Sequence, residues 1–432
     1  MKVNKSLLQK LPKVELHCHL DGSLRIPTII DLANQDKINI PTSNPDKLSK
    51  LLTIGKKRGS LEDYIKRFDI TLSVMQTPEA LERTSYELIE DVFKENVRYI
   101  EIRYSPILHT EKGMTISDSV EAVRKGLKRG EKDFGVKSGI IVCGIRNISS
   151  EASLKLADLT VRYKNRGVVG FDLAGSEENY PAKDHREAFY MILNNNINAT
   201  IHAGEAFGPS SIHQAIHHCG AHRIGHGTRL KEDKDLMNYV NDHRITLEVC
   251  LTSNWQTRSI RSLKFHPLKY YYDQGIRVTL NTDNRLMSGT NLTNEYLLAH
   301  ELFGFKLHDF REMIIMAIKS AFIPYNERKK IIGENQKEVI VEIQSGENWH
   351  EFVLWCLENN YGGVENLALI PGKVGGAPIQ NIGAYGVEIK DVFLTCNTIE
   401  ISTLTYKEFN LKECNFRYRD SVFKSELKGK YI

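Results

Sequence analysis

The chain has 432 residues, of which 41% are hydrophobic and 26% charged, the balance of a globular protein long enough for two domains. Its formal charge of +4 is small against 58 basic and 54 acidic residues, which excludes the large basic excess of a nucleic-acid-binding surface and suggests no membrane partner. No window approaches the ~18 consecutive apolar residues of a membrane span. The N-terminus MKVNKSLLQKLPKVELH lacks the long apolar core and small-residue cleavage site of a signal peptide. Seven scattered cysteines form no CxxC pair, so reduced thiols in a cytoplasm are expected rather than a disulfide framework.

From the N-terminus to about residue 333, β-rich runs alternate with helical patterns. The runs, in order, are VELHCHL, VRYIEIRYS, GIIVCGIR, VVGFDLAG, ATIHAGE, RIGHGT, ITLEVCLTSN and RVTLNTD. Most are nearly continuous apolar stretches ending in polar residues, as in parallel strands buried on both faces. Between the first two, residues 38–76 form an insertion holding the helical-looking SLEDYIKRFDITLSVMQ; it is either a cover over a barrel mouth or a surface excursion. Next comes PEALERTSYELIEDVFKENV, where Thr77 is an N-cap and Pro78 the first helical residue. Its apolar face is expected to hold Leu81, Leu88, Ile89, Val92 and Phe93. Eight strands with intervening helices predict a (β/α)8 TIM barrel with helical insertions. AFIPYNERKKIIGE reads as its closing helix. Beyond it, NQKEVIVEIQSGE is expected to begin a strand-rich, glycine-rich segment. The expected domains are 1–334 and 335–432.

The chemistry gathers at strand ends. In a strand, His17 and His19 share a face, and the carboxyl end of the first barrel strand is where barrel active sites lie. Later strand ends carry His202 and Glu205 in ATIHAGEA, His226 in RIGHGTRL and Asp283 in VTLNTDN. Three imidazoles and a carboxylate with room for water suit a catalytic divalent metal better than a closed structural site, which more often includes Cys. Cys18, between the two histidines, should face the other way. Glu205 is either a ligand or a proton-transfer group, and His226 either a ligand or the group that orients and deprotonates water.

The set VELHCHLDGSL, GFDLAGSE, HAGEAFGPSSI, RIGHGTRL, LEVCLTSN and LNTDNRLMSGT resembles the adenosine deaminase family of the amidohydrolase superfamily, in the family's order, from about Lys10 to Glu334. The resemblance implies hydrolytic deamination of adenosine, and of 2′-deoxyadenosine, to inosine and ammonia in purine salvage. It implies one Zn2+ per barrel held by His17, His19, His202 and Asp283. Metal-activated water would attack purine C6, Glu205 would protonate N1, and His226 would orient the water and serve as base. Asp283 would accept a hydrogen bond from that water. The Gly175 N–H would meet ring N3, and Asp21 the ribose hydroxyls, with His19 also near the ribose. Many family members carry a second Asp where this chain has Asn284, whose amide can still donate to N7. Adenine deaminases share the scaffold, so adenine is the alternative substrate. The cytidine-deaminase signature H-x-E…P-C-x-x-C is absent.

From about Asn335, GENWHEFVLWCLENN, GVENLALIPGKVGGAPIQNIGAYGVEI and ECNFRYRDSVFK resemble part of UDP-N-acetylenolpyruvoylglucosamine reductase (MurB), a flavoenzyme. Arg419 falls on that family's active-site arginine. The segment matches only the middle of such an enzyme. An inactive α+β fragment of a flavin-binding domain is therefore expected, without bound FAD. A competing reading makes this segment a working oxidoreductase related to UDP-N-acetylmuramate dehydrogenase. The expected partner is a small purine nucleoside, with no nucleic acid and no membrane; the sequence leaves the oligomeric state open.

Overall fold

The computed structural model describes residues 3–55, 67–335, 339, 341–359 and 361–432. The chain folds as two compact units, Met1–Asn335 and Gln336–Ile432.

Eight parallel strands build the first unit: β1 (Lys13–His19), β2 (Val97–Tyr104), β3 (Lys137–Ile145), β4 (Val168–Ala174), β5 (Asn198–Ala203), β6 (Arg223–His226), β7 (Thr246–Val249) and β8 (Val278–Leu280). They lie side by side in chain order. A parallel bridge between Cys18 and Asp283, just past β8, brings the two ends of the sheet together. There the Asp283 N–H donates to the His17 carbonyl at 3.0 Å and the His19 N–H to the Asp283 carbonyl at 2.7 Å. The expected TIM barrel is thus present, with all eight predicted runs as strands. The run ITLEVCLTSN is shorter as a strand than expected: it leaves the sheet after Val249, and Leu251–Gln256 is helical.

Thr77 caps the helix Pro78–Phe93 by accepting from the Ala80 N–H. Leu81, Leu88, Ile89 and Val92 are buried as expected, but Phe93 is 46% exposed. At 3.6 residues per turn it sits about 100° from the centre of the stripe that the other four define, and it packs on Phe134 instead. Of the 38–76 insertion, Pro45–Leu52 and Phe68–Ser73 are helical; the part of SLEDYIKRFDITLSVMQ up to residue 66 lies outside the described residues. Thr53–Gly55 hydrogen-bonds to Leu286, Met287 and Gln256. All three follow β7 or β8, so this part of the insertion docks at the carboxyl end of the barrel.

The barrel interior is charged. Arg103 on β2 donates to Asp172 of β4 at 3.0 Å and to Glu248 of β7 at 2.8 Å. Arg223 on β6 donates to Glu248 at 2.6 Å and also to Glu101. All five side chains are at most 1% exposed. Burial opposes ionisation of Asp172 and Glu248. His202 and Arg103 outweigh it at Asp172, and Arg103 and Arg223 outweigh it at Glu248, so both carboxyls stay below the usual carboxylate range.

The second unit begins differently from expectation. Within NQKEVIVEIQSGE, residues 339 and 341–344 lie outside any strand, and residues 336–338 and 340 lie outside the described residues. Its helix Trp349–Glu358 is capped by Asn348. A small core gathers Trp349, Val353, Cys356 and Leu367, and the Trp349 indole donates to the Leu367 carbonyl at 2.8 Å. The described strands are two short antiparallel pairs, Gly383–Ala384 with Val387–Glu388 and Thr395–Ile399 with Tyr406–Asn410. This makes an α+β unit dominated by turns rather than strands. Among the described residues, no helix is long and apolar enough to cross a membrane.

Replacing Arg103 with Met leaves two buried carboxylates short of their counter-charge. Denaturant unfolding should show a loss of about 3–5 kcal/mol. Because both carboxyls titrate lower when folded than unfolded, the stability they confer is full above the unfolded carboxylate pKa of ~4 and falls on acidification below it. The wild-type protein should lose this contribution at low pH, and the R103M gap should narrow there.

Candidate active site

Every candidate residue of the barrel lies at the carboxyl end of a strand or just beyond it. His17 and His19 end β1, His202 lies near the end of β5 and Glu205 just past it, and His226 is the last residue of β6. Asp283 follows β8. His226 and Asp283 adopt left-handed backbone, φ +66° and +61°. For an imidazole-bearing residue at a strand end that conformation is uncommon, and it aims the side chain inward.

The side chains converge. Ligating atoms of His17, His202, His226 and Asp283 all lie within 4.8 Å of one another. His19 joins them: its Nε2 is 3.1 Å from His202 Nε2 and 3.4 Å from Asp283 Oδ1. His17 Nε2 is 3.3 Å from the same oxygen. Cys18 faces away, its thiol 3.5 Å from Ser23 Oγ.

The outer partners set the chemistry of the inner atoms. Glu248 is 2.8 Å from His17 Nδ1, and Asp172 is 3.1 Å from His202 Nδ1. A carboxylate at Nδ1 holds the proton there and leaves Nε2 as a bare lone pair. His17 Nε2 is buried with no hydrogen-bond partner at all. Burial holds the His19 ring well below the ordinary imidazole range. Burial opposes ionisation of Asp283, but the facing rings of His17, His226 and His19 keep the carboxyl well below its usual range. Imidazole nitrogens and an ionised carboxylate facing one point are the donor set of a zinc-type divalent cation.

Glu205 is buried, accepts from the Thr257 hydroxyl at 2.7 Å and places its other oxygen 3.5 Å from His226 Nε2. Asp21 is buried with Oδ1 unpartnered, and burial pushes its carboxyl up to about 7. Asn284 is buried with Oδ1 unpartnered, packed so closely on Gly22 that a Cβ there would fall 1.9 Å from it. Gly175, at the end of β4, has φ +94°, and a Cβ there would meet Asn147 at 2.8 Å, so only glycine fits. Arg419 is exposed in the second unit and lies on a left-handed turn, φ +55°.

Four supporting residues escaped the sequence reading. Asp172 and Glu248 are described above. The Ser253 hydroxyl donates to Asp283 Oδ2 at 2.6 Å. Glu177, in GFDLAGSE, accepts four consecutive backbone N–H groups: Gly204 at 2.6 Å, Glu205 at 2.9 Å, Ala206 at 2.5 Å and Phe207 at 3.2 Å. This carboxylate fills a nest of amides and clamps the turn that carries Glu205. The available signal was that all four lie inside the motifs that carry the family resemblance, GFDLAGSE and LEVCLTSN.

Residues 12–338 match the family model for adenosine deaminase, and residues 325–403 match a model for an FAD-binding domain. An adenosine deaminase from Clostridium acetobutylicum is 41% identical over 318 residues, covering 74% of this chain and 95% of that one. A probable adenosine deaminase from Dictyostelium discoideum is 38% identical over 368 residues, 85% of this chain, which spans only 47% of that longer protein. The solved structure of an N6-mAMP deaminase from Arabidopsis superposes with TM-score 0.69 at 27% identity, covering 76% of this chain and 99% of that one. Fold and relatives together define a hydrolytic deaminase on an amidohydrolase barrel. The chain belongs to the adenosine deaminase family.

Removing the Glu177 clamp should displace Glu205 without touching the histidines. Glu177→Ala is expected to lower kcat on the order of 10²-fold through misplacement of the turn. Glu177→Gln, whose amide oxygen can still accept, should lose less. Steady-state kinetics of both variants, beside their thermal melts, reads this out.

Proposed function

We propose that the barrel converts adenosine and 2′-deoxyadenosine, with water, to the inosine nucleoside and ammonia, in cytoplasmic purine salvage, using one Zn2+. The observation that carries the reading is the convergence of the imidazoles and Asp283 beside a buried Glu205, in a chain 41% identical to an adenosine deaminase. His17, His19, His202 and Asp283 would hold the ion. When bound, Zn2+ supplies Lewis acidity that makes water nucleophilic near neutral pH.

The chain's own residues do the rest. Glu205 delivers a proton to ring N1, which makes C6 electrophilic as water adds and ammonia leaves. Its hydrogen bond from Thr257 fixes one carboxyl oxygen and leaves the other toward the site. His226 orients the attacking water, and Asp283 accepts a hydrogen bond from it and takes the proton that then leaves with the ammonia. The unpartnered buried oxygen of Asp21 is a group a polar ligand would satisfy. Asp21 is assigned to the ribose hydroxyls, together with His19, and Asn284 donates its amide N–H to N7. The Gly175 N–H meets ring N3.

The second unit is read as resembling part of a MurB-like flavoenzyme, with no FAD bound and no role for Arg419 in the deamination. The FAD-binding match at 325–403 is the observation that favours the oxidoreductase alternative.

An ultraviolet assay of the purified protein with adenosine, 2′-deoxyadenosine and adenine tests the first reading. Both nucleosides should be converted; turnover of adenine alone would reassign the enzyme as an adenine deaminase. Glu205→Gln should lower kcat by ~10²–10⁴-fold with zinc content unchanged, whereas loss of zinc would make Glu205 a ligand. The visible spectrum should lack flavin bands, and bound flavin would revive the oxidoreductase.

A further inference from the structure

Four imidazoles crowd the site, yet their outer partners are of two kinds. We infer that Asn254 and His266 lock His226 in its Nε2–H tautomer, so that it serves as a hydrogen-bond donor and not as a base. The identity of the oxygen it faces rests on the proposed deamination; the tautomer itself does not.

The polarity follows link by link from a backbone amide. The Leu268 N–H donates to His266 Nδ1 at 3.0 Å. A backbone N–H can only donate, so that nitrogen is bare and the neutral ring carries its proton on Nε2. Burial also pushes His266 down to about 3. His266 Nε2 lies 3.1 Å from Asn254 Oδ1, and only the oxygen end of a carboxamide can accept there. The amide nitrogen is thereby turned toward His226, with Asn254 Nδ2 2.9 Å from His226 Nδ1. An amide NH2 only donates, so His226 Nδ1 accepts and its proton sits on Nε2. That nitrogen faces Glu205 at 3.5 Å. Asn254, His226 and His266 are 0%, 1% and 4% exposed, which leaves little room for water to substitute a partner of opposite polarity.

His17 and His202 meet carboxylates at Nδ1 and so present lone pairs inward. His226 meets an amide at Nδ1 and so presents N–H. The same four-ring cluster is therefore sorted into ligands and a donor by the neighbours behind it. The lone pair of His226 is occupied by the amide on the far side of the ring, so a proton from the site has no place to go on this side. Protonating Nδ1 would set two N–H groups against each other across 2.9 Å in a buried space. Asn254 and His266 act through His226 and are positioning residues.

Asn254→Asp tests this with almost no change of shape. A carboxylate accepts from His266 Nε2–H and also from His226, which would move the His226 proton to Nδ1. In the 15N-histidine-labelled protein, read both without added metal and after zinc loading, His226 is assigned by the signals lost in His226→Gln. Its spectrum should show Nε2–H in the wild type and Nδ1–H in N254D. Kinetically, N254D should lose kcat on the order of 10²-fold with little change in KM. His266→Gln, whose amide can still donate to Asn254 Oδ1, should keep the wild-type tautomer and most of kcat. A wild-type Nδ1–H or cationic His226 overturns the inference, as does a reversed tautomer with unchanged kcat. Should N254D fail to fold, the wild-type and H266Q spectra decide alone. A wild-type enzyme inactive on every purine but with Nε2–H His226 would refute the deaminase reading and leave the tautomer standing.

Discussion

Three imidazoles can aim lone pairs at one point only if each is neutral and the right nitrogen carries its proton. In this barrel Arg103 underwrites the second of these conditions for two of them. It bridges Asp172 and Glu248, the carboxylates behind His202 and His17. Without a cation between them, two acidic groups this deeply buried would tend to protonate. Protonated, they would no longer hold the Nδ1 hydrogens, and the inward nitrogens would lose their definition. The charge at the centre of the barrel is thus a requirement of the site above it. Arg223, shared between Glu248 and Glu101 and lying over the Phe322 ring, extends the same network toward the segment that precedes the helix Tyr325–Asn335.

The site also depends on how strands end. β6, β7 and β8 have only four, four and three residues, and functional groups appear as soon as the ladder stops. Left-handed backbone at His226 and Asp283 turns those side chains inward, at a cost of about 1–3 kcal/mol each that surrounding structure must offset. Asp283 is held on both sides, by the bridge to Cys18 and by the Ser253 hydroxyl. Glu205 is held by the Glu177 clamp below its backbone and by Thr257 at its carboxyl. Rigid placement of this kind keeps a proton donor in register with a bound base.

Much of this was legible in one dimension. The eight β-rich runs became eight strands because apolar residues on both faces of a short extended segment have few other places to go. The HxH pair shared a face because strand side chains alternate. Phe93 was misplaced because a helical stripe has an edge, and a residue near that edge can face either way. The acidic and basic residues inside the barrel were hidden by their spacing: Arg103, Asp172 and Glu248 stand on three different strands, 69 and 76 residues apart along the chain.

By itself the sequence determined the alternation of strands and helices, the barrel they imply, and the kinds of donor available at its carboxyl end. Those follow from periodicity and residue type, which are local. Only the tertiary structure decided what each donor is. His17, His202 and His226 are the same side chain at similar strand ends, and nothing local distinguishes them. Two are backed by carboxylates and one by an amide, each contributed by a distant segment. The proton goes to the nitrogen that the distant partner selects, so the division between lone pair and N–H is a property of the closed barrel and not of any stretch of chain.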